Sequence, residues 1–316
     1  MRAVIWTPLV GRRFRQRLEA HGLEVVVPPD GAAAIAAARA ADLLITDGAY
    51  DAELAAALRR DKGRLRWIQL VTAGYDGLVA HGVPDGVIVS NVGGFFSPAV
   101  AEHAVALLLA LLRQLPKSIA DTRTGVFDRS GAVQLRSLAG MTVAIIGFGS
   151  IGHEVAQRLR PFGVRIIGLV RRQRADSLAD EIHTMNELHD VLARADVAIV
   201  SVPLVQATRG LIAQREFDLC RRGMILINVS RGEVVDSVAL AAALRDGRIA
   251  GAGLDVTDPE PLPENHPLGV APNLIVTPHI AGTGRPGAAD AMADLVLGNI
   301  DVMATGKPPL HRVEVP

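Results

Sequence analysis

The chain holds 316 residues, 49% hydrophobic and 21% charged, with Lys+Arg and Asp+Glu both at 33 and a formal net charge of zero. Such a balance excludes the broad basic field that nucleic acid or an anionic membrane would select, so the expected partner is a small molecule. Length argues for two domains of roughly 100 to 200 residues each, and the single cysteine, Cys220, excludes an intrachain disulfide, a CxxC redox pair and a Cys-based metal cluster.

Residues 1–9 read as a short strand rather than a signal peptide, which together with the lone cysteine points to a reducing, cytoplasmic location. Apolar runs at residues 4–6, 43–46, 88–91, 142–146, 165–169, 197–201 and 224–228 alternate with Ala- and Leu-rich stretches whose apolar residues recur at helical spacing. That alternation predicts an α/β fold with parallel sheets, each strand ending in turn residues such as Thr46-Asp47-Gly48. One strand–helix series stops near residue 98 and a second spans residues 142–280, with a long helix from Pro98 through Leu112 between them as a hinge. Its apolar part, residues 104–112, is far short of the roughly 20 residues that span a bilayer. A last helix over 287–304 and a short tail add no further series, so they are expected to return and complete the first domain. The expected domains are therefore 1–98 with 286–316, and 99–285.

The strand at 142–146 runs into Gly147, Gly149 and Gly152 in the spacing GxGxxG, and a helix pattern follows over 153–160. In that context the motif describes a Rossmann-type dinucleotide loop. Gly147 permits the tight turn, Gly149 lets backbone approach a pyrophosphate, and Gly152 allows close helix–sheet packing. About 20 residues further on, such a site carries an acid that binds the ribose 2′-hydroxyl of NAD. Here the next strand is followed by Arg171 and Arg172, with Arg174 nearby. Guanidinium groups at that place suit a 2′-phosphate, which favours NADP over NAD, or else form a solvated basic turn.

Three more strand ends run into polar loops, at residues 228–232, 255–261 and 277–282. Ligands bind outside the carboxyl ends of strands in such sheets, so Arg231, Glu260 and His279 are candidates to converge beside a nicotinamide. In this order after the glycine loop, the segments resemble the D-isomer-specific 2-hydroxyacid dehydrogenase family. The resemblance runs from about Leu138 through Gly282, includes residues 203–212 and 251–255, and extends upstream to residues 91–94 and 101–104.

That resemblance implies a Rossmann-type doubly wound domain, a second, smaller flavodoxin-like α/β domain, and a cleft between them that closes before hydride transfer. It implies that Arg231 holds the substrate carboxylate and polarises its carbonyl, that His279 is the acid/base, and that Glu260 hydrogen-bonds His279. The residue types fit: negative charge grows on the carbonyl oxygen as hydride arrives, an imidazolium can supply the proton, and a guanidinium can pair with a carboxylate through two hydrogen bonds. For the cofactor it implies contacts from Ser150 and Ile151 to the pyrophosphate, from Val202 and Pro203 on the adenosine side, and from Val229, Ser230, Arg231, Asp255, His279 and Gly282 on the nicotinamide half. Residues 71–76 resemble the family's substrate loop, in which the backbone N–H groups of Ala73 and Gly74 assist Arg231; a plain strand-end turn is the alternative. The helix from Pro98 is either the family's dimer-forming helix or an intramolecular core helix.

Arg285-Pro286, after the His279 loop, resembles the Arg-Pro of the family's glyoxylate and hydroxypyruvate reductases, and makes Arg285 either a second anion contact or a helix-start cation. The extra regulatory domain of longer phosphoglycerate dehydrogenases is not expected, since the sequence ends at Pro316. The reading is a homodimeric reductase of a small 2-oxo acid such as glyoxylate or hydroxypyruvate, giving the D-2-hydroxy acid, with no metal. The alternatives are a formate- or phosphite-type dehydrogenase, disfavoured by the lack of a lysine in residues 71–76, and a dinucleotide sensor that does not depend on turnover.

Overall fold

A computed structural model describes residues 1–47, 50–127, 129 and 134–315; Gly48, expected at a strand end, lies outside them. The chain forms two compact units, Met1–Phe96 with Gly284–Pro316, and Ser97–Thr283. The boundaries fall two residues earlier than 98/99 and 285/286, and the first does so because the helix expected from Pro98 starts at Ser97.

The first unit begins with β1 (Arg2–Trp6), α1 (Arg12–Ala20), β2 (Glu24–Val26), α2 (Gly31–Arg39), β3 (Leu43–Thr46), α3 (Ala52–Arg60), β4 (Trp67–Leu70), α4 (Asp76–His81) and β5 (Ile88–Ser90). These strands pair in parallel in the order β5-β4-β3-β1-β2, the flavodoxin-like arrangement. Asp30 and Asp51 set the starts of α2 and α3, their carboxylates accepting from Ala33 N and Leu54 N at 2.8 Å each, which satisfies N–H groups that a first helical turn leaves open.

The second unit contains α5 (Ser97–Leu112), α6 (Leu115–Arg123), β6 (Thr142–Ile146), α7 (Ser150–Leu159), β7 (Arg165–Val170), β8 (Glu181–Thr184), α8 (Leu188–Arg194), β9 (Val197–Val200), α9 (Gln214–Leu219), β10 (Met224–Asn228), α10 (Ser237–Arg245), β11 (Ile249–Leu254) and β12 (Leu274–Val276). All are parallel, in the order β12-β11-β10-β9-β6-β7-β8, so the winding reverses between β6 and β9, where Rossmann-type sheets take their ligand. Strands buried on both faces read as continuous apolar runs, as β6, β9 and β10 do. Within this unit α5 is a core helix: Ala104, Leu107 and Leu108 are buried, and a Cβ on Gly253 of β11 would lie only 2.9 Å from Leu107 Cβ. Among the described residues no single helix is long and apolar enough to cross a membrane.

The chain then returns to the first unit as α11 (Ala288–Ala304) and β13 (Arg312–Val313), the latter antiparallel to β5. Gly287 is the N-cap of α11 rather than its first residue, with φ at +69°. Arg13 pairs with Asp290 at 2.6 Å, joining α1 to α11. The fully buried Asn299 donates to Gln69 Oε1 (3.1 Å) and accepts from Leu310 N (2.7 Å).

Strand β8 is polar, and Glu181 on it accepts from His183 (2.7 Å), Arg165 (2.6 Å) and Arg194 (3.1 Å). Those three partners, His183 first, lower the Glu181 carboxyl to about 2, while Glu181 and Glu187 raise the His183 imidazole above its ordinary value. A depressed carboxyl stabilises the fold fully above its unfolded value and ceases to as pH falls through about 2; the raised imidazole contributes below its ordinary value and fades as pH rises through its folded one. Glu181→Gln is therefore expected to lower the urea midpoint at pH 6, with the gap to the unsubstituted protein narrowing progressively as pH drops from 5 toward 2; equal gaps at pH 6 and 3 would contradict this.

Candidate active site

The glycine loop is built by its neighbours. Gly147 has φ at +95°, and a Cβ there would lie 2.7 Å from Ser201 O, so the turn off β6 requires glycine. A Cβ on Gly152 would meet Gly147 O at 2.6 Å, which is the close helix–sheet approach expected of it. At Gly149, the N-cap of α7, a Cβ would have no atom within 4 Å; this leaves an open backbone surface at a helix start, as a pyrophosphate needs. Ser150 is exposed and Ile151 half-buried at the first turn of α7. Ser201, expected as the end of a strand, leaves β9 and donates its hydroxyl to Gly147 O at 2.8 Å. Val202 is buried and Pro203 exposed directly beyond it.

Past β7, Arg171 and Arg172 are exposed, but Arg174 turns back and donates to Phe148 O inside the glycine loop. A second clasp joins the same two segments: His153 Nε2 lies 2.6 Å from Asp176 Oδ2, and the His153 ring stands edge-on to Phe148 with centroids 4.9 Å apart. Burial pushes the Asp176 carboxyl up, but the Leu178 N–H and His153 outweigh it and hold it below the ordinary carboxylate value. No local sequence pattern marks the clasp, since Asp176 sits in an irregular loop beyond the end of β7, the place of a ribose-binding acid.

The candidate catalytic residues come from three adjacent strand ends. After β10, the buried Asn228 accepts from Ser230 N (3.0 Å) and Ser230 Oγ (2.8 Å) and donates to Arg231 O (2.9 Å), an Asx-type turn that fixes the backbone on both sides of Val229. Arg231 is half-buried, and its Nη1 donates to Ser230 O at 2.7 Å, which pins one edge of the guanidinium. A Cβ on Gly232 would run into the backbone of Thr257, so glycine at that position lets the turn after Arg231 press against the loop that carries Glu260.

After β11 and β12, His279 and Glu260 meet: His279 Nδ1 donates to Glu260 Oε1 at 3.0 Å, with both side chains 49% and 41% exposed. The pair is thus open to a ligand rather than sealed in the core. Asp255, at the end of β11, is only 3% exposed, and its carboxylate accepts from Ile280 N (3.0 Å), Ala281 N (2.9 Å) and Thr277 Oγ1 (2.6 Å). Its oxygens are therefore turned toward the His279 loop. Gly282 follows, half-buried. Asn228, Gly232 and Thr277 lie in segments the sequence marks, but their supporting roles do not show there; only Asn228, two residues ahead of Ser230 at a strand end, carries a local turn signal.

Two further candidates lie in the first unit. After β4, Asn91 Nδ2 donates to Ala73 O (2.7 Å) and Thr72 Oγ1 to Gly74 O (2.9 Å), so both peptide groups are held in fixed orientations. Arg285 lies over the Phe95 ring, 4.5 Å from its centroid, and donates to Phe95 O at 3.0 Å.

A nucleotide loop at the switch point of a Rossmann-type sheet, followed by Arg, Glu and His on successive strand ends, is the layout of a nicotinamide-dependent dehydrogenase. A model of the D-isomer specific 2-hydroxyacid dehydrogenase NAD binding domain matches residues 105–281. The chain is 36% identical over 253 residues to a glyoxylate reductase of Thermococcus gammatolerans, spanning 78% of this chain and 75% of that enzyme. It is also 36% identical over 240 residues to the glyoxylate reductase/hydroxypyruvate reductase of Mus musculus, spanning 75% and 73%. A D-isomer specific 2-hydroxyacid dehydrogenase from Xanthobacter autotrophicus, solved with NADPH and MES, superimposes with a TM-score of 0.83 at 28% identity, covering 99% and 97% of the two chains. The chain belongs to the D-isomer specific 2-hydroxyacid dehydrogenase family. It is an NAD(P)-dependent oxidoreductase that interconverts 2-oxo and D-2-hydroxy acids.

Proposed function

We propose that the protein reduces a small 2-oxo acid, glyoxylate or hydroxypyruvate, with NADPH as the preferred donor. The observation that carries this reading is the His279–Glu260 pair, solvent-facing and held at 3.0 Å. The relatives named glyoxylate reductase and hydroxypyruvate reductase support the substrate class.

A bound nicotinamide supplies the hydride. Glu260 accepts the Nδ1 proton of His279, which orients the ring and assigns the transferable proton to Nε2. That proton goes to the carbonyl oxygen as negative charge develops there. Arg231, anchored through Ser230 and Asn228, pairs with the carboxylate and keeps the carbonyl polarised. We assign the pyrophosphate to Gly147, Gly149, Ser150, Ile151 and Gly152, the adenosine side to Val202 and Pro203, and the nicotinamide side to Val229, Ser230 and Gly282, with Asp255 behind the loop. In the first unit, the Ala73 and Gly74 N–H groups and Arg285 are proposed as anion contacts. NADPH preference rests on exposed Arg171 and Arg172 following β7 directly, and on the solved relative that holds NADPH.

We further propose a cytoplasmic homodimer. The support for the dimer is the apolar surface on and after α6, where Leu115, Ile119 and Phe127 are 48%, 56% and 96% exposed. Light scattering is expected to return twice the protomer mass; a protomer mass at micromolar concentration would refute the dimer, and recovery with membranes on cell fractionation would refute the location.

Assayed for NADPH oxidation with glyoxylate and hydroxypyruvate, His279→Ala is expected to lower kcat by about 100-fold or more, the usual range for a lost general acid. Arg231→Ala is expected to raise KM for the oxo acid as well as lower kcat. Unchanged kcat/KM in both would overturn the assignment. Arg171→Ala/Arg172→Ala is expected to weaken NADPH by about 10- to 100-fold, on the order of one or two lost charge-assisted hydrogen bonds, and to leave NADH unaffected. Equal losses for the two dinucleotides would remove the 2′-phosphate role.

A further inference from the structure

We propose that His103, on α5, is a positioning residue for His279, acting through Thr277 and Asp255; the proposal rests on the proton-donor role assigned to His279. His279 has φ at +52°, a left-handed conformation that is strained for an L-residue and persists only where neighbours impose it. The imposing group is Asp255. Its carbonyl accepts from His279 N (2.8 Å), and its carboxylate accepts from the next two N–H groups of the loop, Ile280 (3.0 Å) and Ala281 (2.9 Å). A carboxylate 3% exposed has little water to draw on, so its orientation is set by the protein donors around it.

Thr277 is one of those donors, at 2.6 Å from Asp255 Oδ1. A hydroxyl has one proton. With that proton on Asp255, the 2.8 Å contact from Thr277 Oγ1 to His103 Nε2 has a single consistent sense: His103 Nε2–H donates and the hydroxyl accepts. The His103 proton thereby fixes the Thr277 rotor on Asp255, and the same nitrogen stands 3.5 Å from Asp255 Oδ1. His103 is itself held by a rigid support, because Leu107, one turn further along α5, packs against Gly253 of β11, two residues before Asp255. Helix α5 and the His279 loop are thus coupled by hydrogen bonds that do not involve the glycine loop.

Losing the His103 donor frees the hydroxyl and loosens the grip on the left-handed turn, and misplacement of a reacting group by about 1 Å costs on the order of 100-fold in rate. The test uses the full chain with NADPH and glyoxylate, measuring kcat, KM and NADPH Kd. His103→Leu and Thr277→Val are expected to lower kcat by about 10- to 100-fold with NADPH Kd changed less than about twofold. His103→Gln, whose amide nitrogen can reach the Nε2 position, and Thr277→Ser are expected to recover most of the loss. Wild-type kcat in His103→Leu and Thr277→Val, or a loss that Gln and Ser leave unrecovered and that also weakens NADPH binding, would overturn the proposal. His279→Ala, run in parallel, separates the two levels. Turnover retained in His279→Ala removes the proton-donor reading and the proposal with it, whereas turnover lost there but kept in His103→Leu removes the positioning role alone.

Discussion

The buried Asp255 carboxylate is the constraint on which the second unit's site depends. It sits at the end of β11, between the ends of β10 and β12, and gathers N–H and O–H donors from the loop that follows β12. A carboxylate out of water must be fully solvated by the protein, and here the solvating groups are those flanking His279. The electrostatic need of one residue therefore becomes the geometric restraint on another. Gly232 adds a steric counterpart, because only a residue without a side chain lets the turn behind Arg231 reach the Thr257 backbone.

Parallel strands make this economical. Each contributes its carboxyl end to the same edge of the sheet, so residues far apart in sequence share one neighbourhood without any being part of a regular element. The ends of β10, β11 and β12 hold the charged residues, while the end of β6 holds the glycine loop next to the strand-order reversal. Two clasps, Arg174 to Phe148 O and His153 to Asp176, tie the segment after β7 onto that loop and leave Arg171 and Arg172 at the surface. The glycine loop is thus braced from the segment after β7, while the two arginines at the start of that segment stay exposed.

Much of this layout can be read from sequence alone, for physical reasons. Strands β6, β9 and β10 are short apolar runs between turn residues, and the glycines recur at the GxGxxG spacing between a strand and a helix, a context that gives the spacing its meaning. Strands β2, β4, β8 and β13 leave no such run in the sequence. β2 is a three-residue edge strand, β4 carries the buried Gln69 that α11 later satisfies through Asn299, β8 has Ile182 as its one apolar residue while Glu181 and His183 bond to Arg165, Arg194 and Glu187, and β13 is only two residues long. At the site, Arg231, Glu260 and His279 stand out by residue type and order, whereas Gly232 and His103 matter only through contacts with residues far away in sequence. No local pattern encodes a glycine's neighbour 25 positions on, or a helix histidine's partner across 174 positions.

The central claim, that hydride passes directly from the dinucleotide to the carbon of a 2-oxo acid, is tested most directly by NADPH carrying deuterium at the transferable C4 position. With glyoxylate the account predicts glycolate bearing one deuterium at C2, formed more slowly than with unlabelled NADPH under single-turnover conditions. Tight NADPH binding with no deuterated product from glyoxylate, hydroxypyruvate or a bulkier 2-oxo acid would contradict it.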